Sequence, residues 1–169
     1  MNRLFLSLAG MAVCAGILSA QQNPITENKQ AYEAIKNNIL KSAEKMPEDG
    51  YSFQATKEER TWAALMGHIA DAQTGICSSA MGSPKMGGAG KLTSKAELVK
   101  ALQDSFAVCD EAWDSTNMDN AHTMAKLRNR EMTRISMLIY NTTHDNESYG
   151  TMAVYLRLKG VVPPSSEKR

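Results

Sequence analysis

Apolar residues return every three or four positions along four stretches of the chain, and no stretch alternates apolar with polar residues between strand-type boundaries. Ile25, Tyr32, Ile35, Ile39, Ala43 and Met46 form the first stripe. Met46-Pro47-Glu48-Asp49-Gly50 closes it, because proline has no amide donor and glycine is entropically costly in a helix. A second helical segment is predicted from Lys57 to Ser78, with Trp62, Leu65, Ile69, Ala72 and Ile76 on one side. Gly82-Ser83-Pro84 and Gly87-Gly88-Ala89-Gly90 then read as a flexible connection. Ser94 followed by Glu97 has capping-box spacing and opens a third helix striped by Leu98, Leu102, Phe106, Cys109 and Trp113. The fourth is predicted from Arg130 to Lys159, carrying Ile135, Leu138, Thr142, Tyr149, Met152 and Leu156. Gly160 supplies its C-terminal cap, and Pro163-Pro164 prevents resumption. Residues 117–129 read as a loop, the alternative being the first turns of the fourth helix. Four amphipathic helices without an internal repeat predict an all-α, four-helix bundle.

The N-terminus has a different pattern. Asn2-Arg3 supplies one positive charge, Leu4 to Ala20 is uncharged and rich in Leu, Ala and Val, and Ser19-Ala20 precedes the polar Gln21-Gln22-Asn23. This is the layout of a secretory signal peptide over residues 1–20, with a bundle domain over 21–169. The expected location is periplasmic or extracellular, with no stable membrane span after processing. An uncleaved N-terminal anchor is the competing reading, at the short limit for crossing a bilayer.

Composition supports a globular domain: 43% of the 169 residues are hydrophobic and 22% charged. The formal charge of +1 falls to zero once Arg3 is removed with the leader, so nothing favours nucleic acid. Removal also takes Cys14 and leaves Cys77 and Cys109. In an exported chain these either pair or stand as two buried thiols.

Bundles build sites from side chains directed inward, so polar residues on apolar stripes are the candidates. His68, in Leu65-Met66-Gly67-His68-Ile69-Ala70-Asp71, borders the second stripe and shares its face with Asp71. It reads either as a hydrogen-bonded core histidine or as a metal ligand. His144 lies within the polar run Asn141 to Ser148, and Asn141, His144, Ser148, Thr151 and Tyr155 form a second stripe. That stripe is either a solvated face or an inward-facing site. His122 has no partner at ligand spacing and is expected to be exposed.

Other motifs fall away. Gly90-Lys91 lacks the rest of a phosphate loop, and no nucleophile elbow is present. The glycosylation triplets at Asn141 and Asn146 fall within a predicted helix. Lys126, Arg130 and Arg134 read as a solvated basic face, with binding of an anionic substrate as the alternative. The eleven methionines show no tight cluster, so they read as core filling rather than copper ligands.

Leu65-Met-Gly-His68-Ile-Ala-Asp71-Ala-Gln, Glu131-Met-Thr-Arg134, His144-Asp-Asn-Glu-Ser148-Tyr-Gly150 and the ending Tyr155 to Ser166 together resemble the DinB-like family of bacterial four-helix-bundle proteins. The resemblance implies a divalent metal, zinc or nickel, held by three histidines. One comes from the second helix and two from a His-x-x-x-His pair on the last. His68 and His144 match the first two, and Ser148 stands at the third position. A neutral serine hydroxyl is a poor ligand, so Asp71 or Glu147 is a candidate replacement.

Two functions follow from the resemblance. One is a metal-dependent transferase or hydrolase acting on a small molecule. The other is a metal-free, degenerate member that binds a small ligand or serves as a structural module. Bundles of this type commonly pair, so a homodimer is compatible with both.

Overall fold

The structure is a computed structural model that describes residues 23–167. The expected signal peptide at 1–20 lies outside the described residues. Four helices make the bundle: α1 (Pro24–Lys45), α2 (Trp62–Ala80), α3 (Lys95–Asp114) and α4 (Arg134–Leu158). None of the described helices is long and apolar enough to cross a membrane. α2 packs against α3 and α4, and α1 closes against the same two, so α1 lies diagonally across from α2.

Each start has a local cause. Asn23 accepts a hydrogen bond from the Ile25 amide at 3.0 Å, with Pro24 in the first helical turn. Thr61 caps α2 through the Ala64 amide, which is why α2 starts at Trp62 rather than at the predicted Lys57. Ser94 caps α3 as expected by accepting from the Glu97 amide, and its hydroxyl donates to the Glu97 carboxylate in place of the backbone amide of a full capping box. Two of the helices end alike. Gly82 and Gly160 take positive φ of 76° and 71°, and the residue after each donates back to Ser78 and Leu156 respectively. This left-handed exit satisfies the last carbonyls and suits glycine.

The entry to α4 differs from expectation. Met124–Leu127 (β1) and Arg130–Thr133 (β2) form a short antiparallel hairpin, with Met124 opposite Thr133 and Leu127 opposite Arg130. Residues 130–133 therefore belong to a strand, and α4 starts four residues later than predicted. Thr133 caps it through the Ser136 amide, while the Arg134 and Ile135 amides donate to the Thr123 and Ala121 carbonyls. Those loop carbonyls satisfy donors that would otherwise be free at a helix start.

The predicted basic face dissolves with this change. Lys126 and Arg130 sit on different strands of the hairpin, and the Arg130 guanidinium lies 5.7 Å from the centre of the Tyr140 ring. Arg134 instead reaches the end of α3, donating to Thr116, Ser115 and the Ala112 carbonyl. It thereby supplies donors to a helix C-terminus.

The core follows the predicted stripes. Trp62, Trp113, Tyr32, Tyr155 and Phe106 are fully buried among Ile39, Met66, Ile69, Leu98, Leu102 and Met137. Tyr32 packs between Phe106 and Trp113 and donates to Asp110 Oδ1 at 2.7 Å. Met46, Met66, Met137 and Met152 are core residues, whereas Met86, Met118 and Met124 are exposed. Cys77 and Cys109, both fully buried, are joined in a disulfide that ties α2 to α3 across a Cα separation of 5.0 Å.

Candidate metal centre

Antiparallel packing of α2 on α4 brings His68 and His144, 76 residues apart in sequence, face to face. Their Nε2 atoms are 3.1 Å apart, with ring centres at 5.0 Å and planes inclined by 61°. Two imidazoles on one tetrahedral zinc, with Zn–N bonds of 2.0–2.1 Å, place their nitrogens about 3.3 Å apart. The observed spacing matches the separation of two ligands on one ion. It also permits a single N–H···N hydrogen bond, in which one ring donates and the other accepts.

The surroundings favour neutral imidazole, the form that binds metals. Burial is the main cause that holds His68 below its ordinary pKa, and the positive charge of Arg60 and the neighbouring His144 act in the same direction. Asp71 and Glu147 oppose that shift.

The second stripe of α4 faces inward. Asn141, Ser148 and Tyr155 are buried, and the His144 side chain is 16% exposed. Ser148 lies one helical turn beyond His144 and shares its face. His122 is exposed.

The two acids singled out by spacing are placed differently. Both Asp71 oxygens accept backbone amides of the glycine-rich loop, from Ala89 at 2.7 Å and Gly90 at 3.0 Å. Glu147 is exposed. Asp71 is thus a loop anchor, and the loop fits it closely. A Cβ on Gly87 would lie 2.1 Å from Asp71 Oδ1, and one on Gly67 would lie 2.6 Å from the Ala89 carbonyl oxygen.

A third acid, Asp145, was not among those candidates and lies beside His144. Asp145 is fully buried and accepts a hydrogen bond from Asn141 Nδ2 at 2.9 Å. Its other oxygen lies 3.8 Å from His144 Nδ1, beyond hydrogen-bonding distance, and both atoms are buried without partners. Burial raises the Asp145 pKa, partly opposed by His144 and Asn141. The Asn141–Asp145 spacing of four residues was the available signal, because it puts an amide and a carboxyl on the same face.

Among the described residues, no group of three or more His, Cys, Asp or Glu side chains gathers as a metal cluster. The two imidazoles fit a divalent ion by their donor chemistry and spacing, with Ser148 on the same side.

His68 also borders a groove of about 580 Å³ between α2, the loop before α3 and the hairpin tip. Lys85, Met86, Leu127 and Arg128 line it, and none of these was singled out from sequence. The groove thus opens beside the paired histidines on the face where α2 meets the loop and the hairpin.

The chain belongs to the DinB family, whose model matches residues 22–168. The fold is similar to that of a crystal structure of a DinB-like protein from Bacillus cereus, with a TM-score of 0.70 and 21% identity over 83% of this chain and 95% of that one. It is also similar to a DinB-like protein from Bacillus subtilis, with a TM-score of 0.63 and 14% identity over 85% of this chain and 99% of that one. No curated protein matches the chain.

Proposed function

We propose that His68 and His144 bind a divalent ion, zinc or nickel, between α2 and α4, and that the site acts on a small molecule entering from the adjoining groove. The observation that supports this most directly is the 3.1 Å approach of the two Nε2 atoms. Bound there, the ion would act as a Lewis acid toward a water or a thiol, the chemistry of a hydrolase or a transferase. The residues of the chain do the positioning. α2 and α4 orient the two imidazoles, burial keeps His68 neutral, and Ser148 occupies the third-ligand position with a hydroxyl. A site with two imidazoles binds more weakly than one with three.

Export is part of the same reading. The Cys77–Cys109 disulfide supports it, since such bonds persist in oxidising compartments.

The His68–His144 spacing equally suits a metal-free member, in which the two rings hydrogen-bond directly beside a ligand groove. Metal analysis of untagged protein separates the two readings. One equivalent of zinc or nickel, lost in His68→Ala and in His144→Ala, is the expected result. A metal-free natural protein that acquires metal only as Ser148→His would establish the second reading instead.

A further inference from the structure

The groove beside His68 carries charges that the histidine pair does not use. Lys85 comes from the loop before α3 and Arg128 from the hairpin tip. Among the described residues neither takes part in an ion pair. The acid lining the groove, Asp71, has both oxygens taken by the Ala89 and Gly90 amides. Two cationic residues therefore line a cavity whose one carboxylate is already held by backbone amides. Ala64, Ala72, Met86 and Leu127 give the same cavity an apolar part.

Arg128 also occupies an unusual backbone position. Leu127 pairs with Arg130, so Arg128-Asn129 is a two-residue hairpin turn, and Arg128 takes φ of 52°. Two-residue hairpins place glycine, asparagine or aspartate at such positions, because a Cβ is strained there. An arginine at this position keeps the strain and adds a cationic residue to the groove lining. Strain of this kind concentrates where a side chain is used.

We propose that the groove binds a small organic acid: a terminal oxyanion held by Arg128 and Lys85, with a short apolar body lying on Ala64, Ala72, Met86 and Leu127. The guanidinium fork matches the paired oxygens of a carboxylate or phosphate, whereas Lys85 acts as a point charge. A volume of about 580 Å³ suits a metabolite-sized ligand. The proposal deepens the small-molecule reading above, in which the acid would lie beside the His68–His144 pair, but binding of the oxyanion itself needs no metal.

The test uses chelator-treated protein and amide chemical shifts, with hexanoate, hexyl phosphate and hexanol as probes. At least one of the two anions is expected to bind about tenfold more tightly than hexanol, shifting the amides of Lys85, Gly87, Gly90 and Arg128. The stronger of the two identifies the headgroup. Arg128→Gly is expected to abolish that preference while unfolding at the same or a higher temperature, because glycine relieves the strained φ. Lys85→Ala is expected to weaken anion binding severalfold. Equal binding of hexanol and both anions, or undiminished anion binding in Arg128→Gly and Lys85→Ala, would overturn the proposal. Zinc titration of the same variants is read separately. Loss of the anion preference with intact zinc binding in the natural protein counts against this inference alone, and the converse counts against the metal reading alone.

Discussion

Opening the Cys77–Cys109 bridge should loosen the attachment of α3 to α2, and the size of that effect can be worked out. The cross-linked residues are 32 apart in sequence. Constraining a loop of that length in the unfolded chain contributes about 3.7 kcal/mol on the chain-entropy model. For a domain of this size each kcal/mol moves the unfolding midpoint by about 2–4 °C, so reduction should lower it by roughly 7–15 °C. The assay is circular dichroism of purified protein spanning residues 21–169, which lacks Cys14, with and without a phosphine reductant, beside a thiol count on denatured material. Before reduction the count should be zero, and afterwards two. Cys77→Ala/Cys109→Ala should fall at least as far as the reduced protein, since both sulfurs are fully buried and their loss adds a packing defect. Two free thiols in unreduced, denatured protein would refute the bridge. A midpoint that moves by less than about 3 °C on complete reduction would refute the entropic account of its contribution.

Ser148→His should tighten zinc binding by at least about tenfold, a gain of ~1.4 kcal/mol, as measured by competition with a chelating dye. An unchanged affinity would show that position 148 does not face the ion. Asp71→Ala removes the acceptor of two loop amides and should destabilise the protein by about 1.5–3 kcal/mol in urea unfolding. A loss below about 0.5 kcal/mol would mean that the loop is held by other contacts. Asp145→Asn should raise the unfolding midpoint of metal-free protein at pH 7, because burial disfavours the charged form of the carboxyl and asparagine carries no such cost. The Asp145 pKa is raised in the folded state, so its ionised form opposes folding at pH above the unfolded value near 4, and the advantage of asparagine should shrink as pH falls and Asp145 protonates. A gain that stays constant from pH 7 to pH 4 would contradict that sign.

Sequence periodicity identified four helices because their punctuation is local. Asn23-Pro24, Ser94-Glu97 and Gly160 act within a few residues of where they stand. The start of α4 escaped because four-residue strands are too short to show alternation, and Arg130–Thr133 owe their conformation to Met124–Leu127 across a turn. The histidine pair was nominated by family resemblance, but its approach depends on the register of two helices. Asp71 and Asp145 show the limit most clearly. Both lie near a candidate ligand in sequence. Only the tertiary fold shows that loop amides capture the first while burial places the second beside His144.

The contact between Asp71 and the glycine-rich loop has a mechanical consequence. Asp71 is one turn from His68 on the same helix, so the carboxylate that fixes the loop wall of the groove and the imidazole that lines it are set by one helix. A ligand of the proposed kind would meet a wall already held in place, so little of its binding energy would be lost in arranging it. The exposed residues Ser83 to Met86 lie beside that anchored stretch without belonging to it. The Ser83 and Lys85 amides donate to Ser78 at the end of α2, so the backbone of this rim is fixed while its side chains are the part that can vary beside the histidine pair.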